Sequence, residues 1–243
     1  MDSLRVVVHW LFPALMIAAA VIYYLARRAN ANRAFGEAAP FLAALSIAAA
    51  ACWCLPDLWM TLTFLPLALH LYVLYFFRDP FRLPPADRDA IVSAADGKVI
   101  FVDEVVEPAY SRQKMKRVAV FLSVFDVHVN RLPYDGTIKK ITHQPGKFLD
   151  ARVPDIDVQN EAMNWLVATD RGDMVIRQIA GLIARRIVAW AKEGDTLTVG
   201  ERFGMIRFGS RTDVYLPLDC EVLVKPGERV KGGLTVIARW PRR

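Results

Sequence analysis

The sequence predicts a mainly β protein behind an N-terminal block of apolar helices. Three observations carry this reading: short alternating runs with turn punctuation from residue 90 onward, scarce helical periodicity over the same span, and three long apolar runs before residue 78. Charge divides the chain at the same place. Of its 31 Lys and Arg and 25 Asp and Glu, only Arg5, Arg27, Arg28 and Arg33, and Asp2, Glu37 and Asp57, fall in the first 77 residues. A chain of 243 residues can build one ample core or two smaller units. The expected division is 1–77 for the helical region and 78–243 for the β-rich domain.

The apolar runs cover 6–25, 38–55 and 58–77, each about the 17 to 25 residues that a helix needs to cross a bilayer core. A secretory signal peptide explains the first poorly and the others not at all, because its apolar region is only about 7–15 residues long. Arg27, Arg28 and Arg33 separate the first two runs, and Arg78, Arg82 and Arg88 follow the third. Three crossings would leave both clusters on one side, which the positive-inside rule makes the cytoplasm. The alternative is a hairpin of runs two and three lying in the membrane interface. Either way the later domain is expected on the cytoplasmic face of the cell's inner membrane. The formal charge of +6 lies mostly beyond residue 77, and an anionic bilayer with anionic head groups accounts for it alongside the apolar helices better than nucleic acid does. Cys52, Cys54 and Cys220 have no metal-site spacing and form no even disulfide set. They read as small buried apolar residues, with no metal expected.

Beyond a proline-dense tether at 79–85, β-type runs fall at 98–106, 117–124, 136–142, 165–169, 174–179, 186–190, 196–199, 205–208, 213–216, 221–224 and 234–238. A short helix is expected at 160–166 and one helical turn at 181–186. Residues 221–237 run strand, Pro-Gly turn, Val-Lys-Gly-Gly, strand, in a manner similar to lipoyl- and biotinyl-type domains, and Asp96-Gly97-Lys98-Val99 reads as the matching half. A barrel-sandwich hybrid is therefore the expected architecture.

The stretch Gly204-Met205-Ile206-Arg207-Phe208-Gly209-Ser210-Arg211-Thr212-Asp213 places a Gly-Ser dipeptide between two β runs. A hydrolase nucleophile elbow has the form Gly-x-Ser-x-Gly on a strand-to-helix turn, whereas Arg211 and Thr212 follow here and no helix begins. The other chemistry open to this serine is attack on its own backbone. Ser210 Oγ adds to the Gly209 carbonyl, the acyl group moves from nitrogen to oxygen, and elimination of the ester leaves a dehydroalanine that hydrolyses to a pyruvoyl group. Gly209 suits this, since without a Cβ its carbonyl is open and a strained backbone is tolerated. Such an attack needs a base. His9 and His70 lie in apolar runs, which leaves His128 and His143. Residues 121–130 alternate so that Val124, Asp126, His128 and Asn130 share one strand face. His143 opens a Pro-Gly turn, and Asp96, before Gly97, reads by itself as a turn residue.

Four segments occur in order: Phe76-Phe77-Arg78-Asp79-Pro80, Ser93-Ala94-Ala95-Asp96-Gly97-Lys98-Val99, Ser123-Val124-Phe125-Asp126-Val127-His128-Val129-Asn130-Arg131-Leu132-Pro133, and the Gly209-Ser210 stretch. Together they closely resemble the phosphatidylserine decarboxylase family, over roughly two-thirds of the chain. The resemblance implies self-cleavage between Gly209 and Ser210 into a β chain of 1–209 and an α chain of 210–243. It implies a pyruvoyl group on Ser210 that forms a Schiff base with the serine head group, no pyridoxal phosphate, no metal, and conversion of phosphatidylserine to phosphatidylethanolamine and CO₂. It further implies a relay of Asp96, His128 and Ser210. Many bacterial relatives carry His-x-x-His where this chain has His128 and Arg131, so either His128 serves both maturation and decarboxylation or another group activates Ser210. Candidate partners for the phosphodiester are Lys98, Arg131, Lys147, Arg185 and Arg211. Phe125 and Phe148 face either acyl chains or the core. The implied assembly is a heterodimer of the two cleaved chains, open to higher oligomers. Two contrasting readings are a membrane-anchored barrel-sandwich adaptor, in which Gly209-Ser210 is only a turn, and a membrane serine hydrolase.

Overall fold

The computed structural model describes residues 33–53, 59–153, 156, 159–182 and 186–241. The first apolar run with His9, Arg5, Arg27 and Arg28, the residues Cys54 and Asp57, and Arg185 lie outside them. The chain divides into two compact units, Met1–Asp79 and Pro80–Arg243.

In the first unit, α1 (Arg33–Trp53) and α2 (Trp59–Phe76) run antiparallel. Their pairing is visible at both ends of the contact: the Phe41 and Phe77 rings lie 5.8 Å apart, and Ser46 Oγ lies 3.3 Å from His70 Nε2. Pro40 and Pro66 each remove one intrahelical hydrogen bond, and His70 is buried with its Nδ1 2.9 Å from the Pro66 carbonyl oxygen. Among the described residues no helix is long and apolar enough to cross a membrane. The described residues therefore give no support to spanning helices in the second and third runs.

The second unit is β throughout. Its strands are β1 (Ala90–Val92), β2 (Gly97–Val106), β3 (Lys114–Leu122), β4 (Val129–Arg131), β5 (Gly136–Gln144), β6 (Ala162–Ala168) and β7 (Asp173–Ala180). They continue as β8 (Arg186–Ala189), β9 (Thr196–Leu197), β10 (Arg202–Arg207), β11 (Ser210–Leu216), β12 (Glu221–Val222), β13 (Arg229–Val230) and β14 (Val236–Arg239). Among the described residues these form an eight-stranded sheet, β13-β2-β3-β11-β7-β6-β5-β9, and two three-stranded sheets, β1-β14-β12 and β4-β10-β8. All the pairings are antiparallel.

One apolar core joins the three sheets. Val99, Val118, Val120, Trp165, Val167, Ile176, Val214 and Leu216 of the large sheet meet Phe203 of β10, Ile91 of β1 and Ile237 of β14. The Trp165 and Phe203 rings pack edge to face with centroids 4.9 Å apart, an arrangement worth about 0.5–1.5 kcal/mol beyond the burial itself. The helix expected at 160–166 is instead the start of β6. Trp165 and Val167 alternate onto the core face, and pairing with both β5 and β7 overrides the local pattern. Half of the helical turn expected at 181–186, residues 183–185, lies outside the described residues, and Arg186 opens β8.

Candidate active site

The corner between β10 and β11 carries the Gly-Ser dipeptide. Phe208 and Gly209 both take left-handed backbone, with φ of 61° and 55°, and through them the chain leaves the small sheet and enters the middle of the large one. A bulky residue in that region costs about 1–2 kcal/mol, whereas glycine adopts it freely. The peptide before the Gly209-Ser210 bond is therefore held in a shape that only its surroundings sustain. Ser210 opens β11 between Leu122 of β3 and Ala180 of β7. It is fully buried, and its Oγ has no hydrogen-bond partner among the described residues. Leaving a buried hydroxyl unsatisfied costs about 1–3 kcal/mol, and no stable contact holds this one away from a reaction.

His128 is also fully buried. The Gly209 N–H donates to its Nε2 at 3.3 Å, and its Nδ1 lies 3.0 Å from the Asp126 carbonyl oxygen. The ring therefore carries its proton on Nδ1 and presents a lone pair on Nε2 beside the peptide to be broken. The strand expected across 121–130 is corrected: β3 ends at Leu122 and β4 begins only at Val129. Asp126 Oδ2 accepts from the Ser123 amide at 2.9 Å and from Ser123 Oγ at 2.6 Å, which closes a turn between β3 and β4 and swings His128 out of the large sheet.

The opposite wall is Gly181. A Cβ built there would lie 2.4 Å from the Gly209 carbonyl oxygen, so glycine is what lets this backbone touch the scissile carbonyl. A buried polar chain ties the two sheets together at this level. Trp165 Nε1 donates to Gln178 Oε1 at 2.8 Å, and Gln178 Nε2 donates to Asn130 Oδ1 at 2.7 Å. Thr212 Oγ1 donates to the same Asn130 oxygen at 3.3 Å. Gly181, Gln178 and Thr212 carry no sequence signal of this role. Asn130 alone is marked, by its place in the His128 segment.

The structure brings Ser210, Gly209 and His128 together and takes Asp96 elsewhere. The Asp96 carboxylate receives Arg82 at 2.5 and 2.8 Å and the Gly232 amide at 2.8 Å, and makes no hydrogen bond to His128. His143 sits half-exposed on β5, 3.1 Å from Glu161, so it belongs to a strand and not to the expected turn. Arg131 is buried, donating to the carbonyls of Gly200 at 3.0 Å and Pro80 at 2.8 Å. Arg211 is fully buried on the back of the large sheet in a bidentate pair with Asp213 at 2.6 and 2.5 Å. Both side chains are buried and engaged by groups of the fold. Lys98 and Lys147 are exposed. Phe125 is 66% exposed on the turn before His128 and Leu182 is 68% exposed next to Gly181, while Phe148 packs on Ala180, Ile187 and Ile206.

On that back face Arg117 meets Asp103 at 2.9 and 2.6 Å. Burial by itself would lower the Arg117 guanidinium, but Asp103 and the charge of Asp213 hold it above its ordinary value. Burial pushes the Cys220 thiol up to about 12, so that cysteine is inert at neutral pH. Among the described residues no group of three or more His, Cys, Asp and Glu gathers as a metal site. Surface clefts lined by Arg88, Tyr134 and Arg171, and by Tyr110, Met115 and Leu166, lie apart from Ser210.

A buried serine at a strained glycine corner, with an imidazole lone pair on one side and a bare backbone on the other, defines a site arranged around its own peptide bond. A family model described as phosphatidylserine decarboxylase matches residues 69–238. The phosphatidylserine decarboxylase proenzyme of Symbiobacterium thermophilum (strain DSM 24528 / JCM 14929 / IAM 14863 / T) is 50% identical over 175 residues, 72% of this chain and 81% of that protein. That of Pelobacter propionicus (strain DSM 2379 / NBRC 103807 / OttBd1) is 49% identical over 172 residues, 70% of this chain and 78% of that protein. The chain belongs to the phosphatidylserine decarboxylase family.

Proposed function

We propose that this chain is the proenzyme of a phosphatidylserine decarboxylase that matures by cutting itself between Gly209 and Ser210. The observation that carries the reading is the buried, unpartnered Ser210 Oγ next to a left-handed Gly209 whose amide already meets His128 Nε2. Ser210 gives its proton to Nε2 as Oγ bonds to the Gly209 carbonyl carbon. The C–N bond then breaks and the proton passes to the freed amine. Loss of the Ser210 Cα proton and cleavage of its Cβ–O bond release Gly209 as a carboxylate, and hydrolysis of the remaining dehydroalanine expels ammonia. Positioning of this kind contributes about 7–11 kcal/mol to an intramolecular attack, and the base adds about 10²–10⁴-fold.

The orphaned hydroxyl fits a residue that is consumed to make a pyruvoyl group. That group supplies the electron sink for loss of CO₂ from a serine head group. The chain's own part is to exclude water around the carboxylate and to hold a proton for the product carbon, and His128 is the buried residue placed for it. Asp96 enters as the anchor of Arg82 in the linker and not as the residue behind the ring. The three sheets about one core support reading the domain as a barrel-sandwich hybrid. The exposed Ile47, Leu65, Leu69 and Leu71 of the helical hairpin support an apolar face lying in the surface of the inner membrane, with the catalytic unit on its cytoplasmic side.

On a denaturing gel the purified protein is expected to give two fragments, 1–209 and 210–243, and to release CO₂ from phosphatidylserine. Ser210→Ala is expected to run as a single band without activity. An unsplit wild-type chain that decarboxylates the lipid would remove this reading.

A further inference from the structure

Asn130 ends a buried chain of hydrogen bonds with a donor that has nothing to bind. Chemistry fixes the direction of that chain. Trp165 Nε1 can only donate, so Gln178 Oε1 accepts from it at 2.8 Å, and Gln178 Nε2 donates to Asn130 Oδ1 at 2.7 Å. Thr212 Oγ1 donates to the same oxygen at 3.3 Å. With Oδ1 committed as the acceptor, Nδ2 points elsewhere, and among the described residues it has no partner. Asn130 is fully buried, where an unmet donor carries the whole cost of its lost hydration.

That donor lies in the same layer as Ser210. Ser210 and Thr212 alternate onto one face of β11, with Cα atoms about 7 Å apart. The Gly209 amide beside Ser210 reaches His128 Nε2, and Thr212 reaches Asn130 Oδ1, so the imidazole and the amide stand side by side over one strand. Asn130 stands opposite Gly204 in β10, and a Cβ on Gly204 would lie 3.3 Å from Gln178 Nε2. The bare glycine thus leaves room for the amide that fixes the orientation of Asn130. Ser210 Oγ and Asn130 Nδ2 are two unpartnered polar atoms in this buried layer. The proposed maturation consumes the hydroxyl, while the amide remains.

We infer that Asn130 Nδ2 binds the carboxylate of the serine head group and turns it out of the plane of the electron sink, an assignment that rests on the decarboxylase reading above. The bond to the departing CO₂ breaks into a π system only when it stands across the plane of that system, so the carboxylate must be held at a set angle. It is the anion nearest the reaction, because it shares a carbon with the reacting amine. The distance along β11 from Ser210 to Thr212 is about that of the amine, its carbon and the carboxylate laid end to end, with one hydrogen bond closing the gap. A neutral amide suits a carboxylate that must leave. A guanidinium or ammonium would hold the charged ground state more firmly, and that stabilisation is lost as the charge passes out of the carboxylate. The ethanolamine product offers Nδ2 no acceptor.

The test uses self-cleaved, full-length enzyme in detergent micelles, with cyanoborohydride to record binding at the ketone apart from loss of CO₂. The lipid amine and the ketone condense with loss of water, and hydride with a solvent proton completes a secondary amine that is read by the intact mass of the 210–243 chain. Asn130→Asp keeps an oxygen for Gln178 and Thr212 and puts an acceptor in place of the donor. It is expected to split on a gel and to form adduct from phosphatidylserine about tenfold or more slowly, relative to phosphatidylethanolamine, than the wild type does. Release of CO₂ should fall by at least as much. A merely structural role slows both lipids alike. Equal loss on both lipids, or no loss on either, overturns the assignment while the decarboxylase reading stands. Should Asn130→Asp fail to fold or to split, competition on the wild type decides. Phosphatidyl-hydroxypropionate, which keeps the carboxylate and lacks the amine, is expected to inhibit about tenfold better than phosphatidylpropanol. Equal inhibition by the two overturns the assignment. A wild-type chain that neither splits nor releases CO₂ removes both readings together.

Discussion

Gly181 shows how much of the chemistry depends on an atom that is missing. Its backbone lies so close to the Gly209 carbonyl that a Cβ would approach the oxygen to 2.4 Å, and the neighbour it would displace is the carbonyl that the proposed self-cleavage attacks. A displacement of about 1 Å in such a geometry can cost about 10²-fold in rate. Gly181→Ala is therefore expected to slow the disappearance of the uncleaved band by about that factor in a time course after synthesis, with little loss of folded protein. Splitting at the wild-type rate would show that the carbonyl is free to move. At this scale the sequence marks Ser210, Gly209 and His128, because the proposed scissile bond and its proposed base are residue types with few other reasons to occur in that order. Gly181 is illegible in the sequence, since a glycine after a strand usually marks a turn. Asp96 errs the other way: as a residue type it fits a relay, but Arg82 and the Gly232 amide claim its carboxylate.

Among the elements, β11 is the one on which the site hangs. One face of it contributes Ser210 and Thr212 toward the core, and the other buries Arg211 and Asp213 as an ion pair with neither side chain exposed. Asp213 also stands opposite Arg177 in the register with β7. A buried pair of this kind adds little over apolar residues of the same shape, yet removing one partner strands the other charge at about 3–5 kcal/mol. Asp213→Asn in the uncleaved Ser210→Ala background is expected to lose stability of that order in urea unfolding. A loss under about 1 kcal/mol would mean that the guanidinium finds other partners or water. Strand propensity finds the runs that become β2, β3, β5, β7 and β11, because their alternation matches the pleat. It misses β1, β4 and β13, which are two or three residues long, and takes the start of β6 for a helix. Segments that short have no periodicity of their own and become strands only because a neighbour offers a ladder.

Across the whole catalytic unit, cleavage would cut the covalent chain without cutting the fold. Residues beyond 209 supply β11 at the centre of the large sheet, β13 on its edge beside β2, and β14 beside β1 with β12 on the far side of β14. The two fragments are thus expected to elute together in gel filtration under native conditions and to separate only in denaturant. Free elution of the 210–243 peptide from native enzyme would contradict this arrangement. The sequence by itself determined the family, the mainly β class, the apolar N-terminal region and the Gly-Ser dipeptide on which the proposed cleavage rests, because each is written in local composition or in a short run of residue types. Tertiary structure alone decided that Asp126, through its carbonyl, backs His128 where Asp96 was expected, that Arg131 and Arg211 serve the fold, and that Asn130 meets Gln178 and Thr212. Those are contacts between segments tens of residues apart, and the register of one strand against another depends on the packing of both faces of each sheet, which no single stretch of chain encodes.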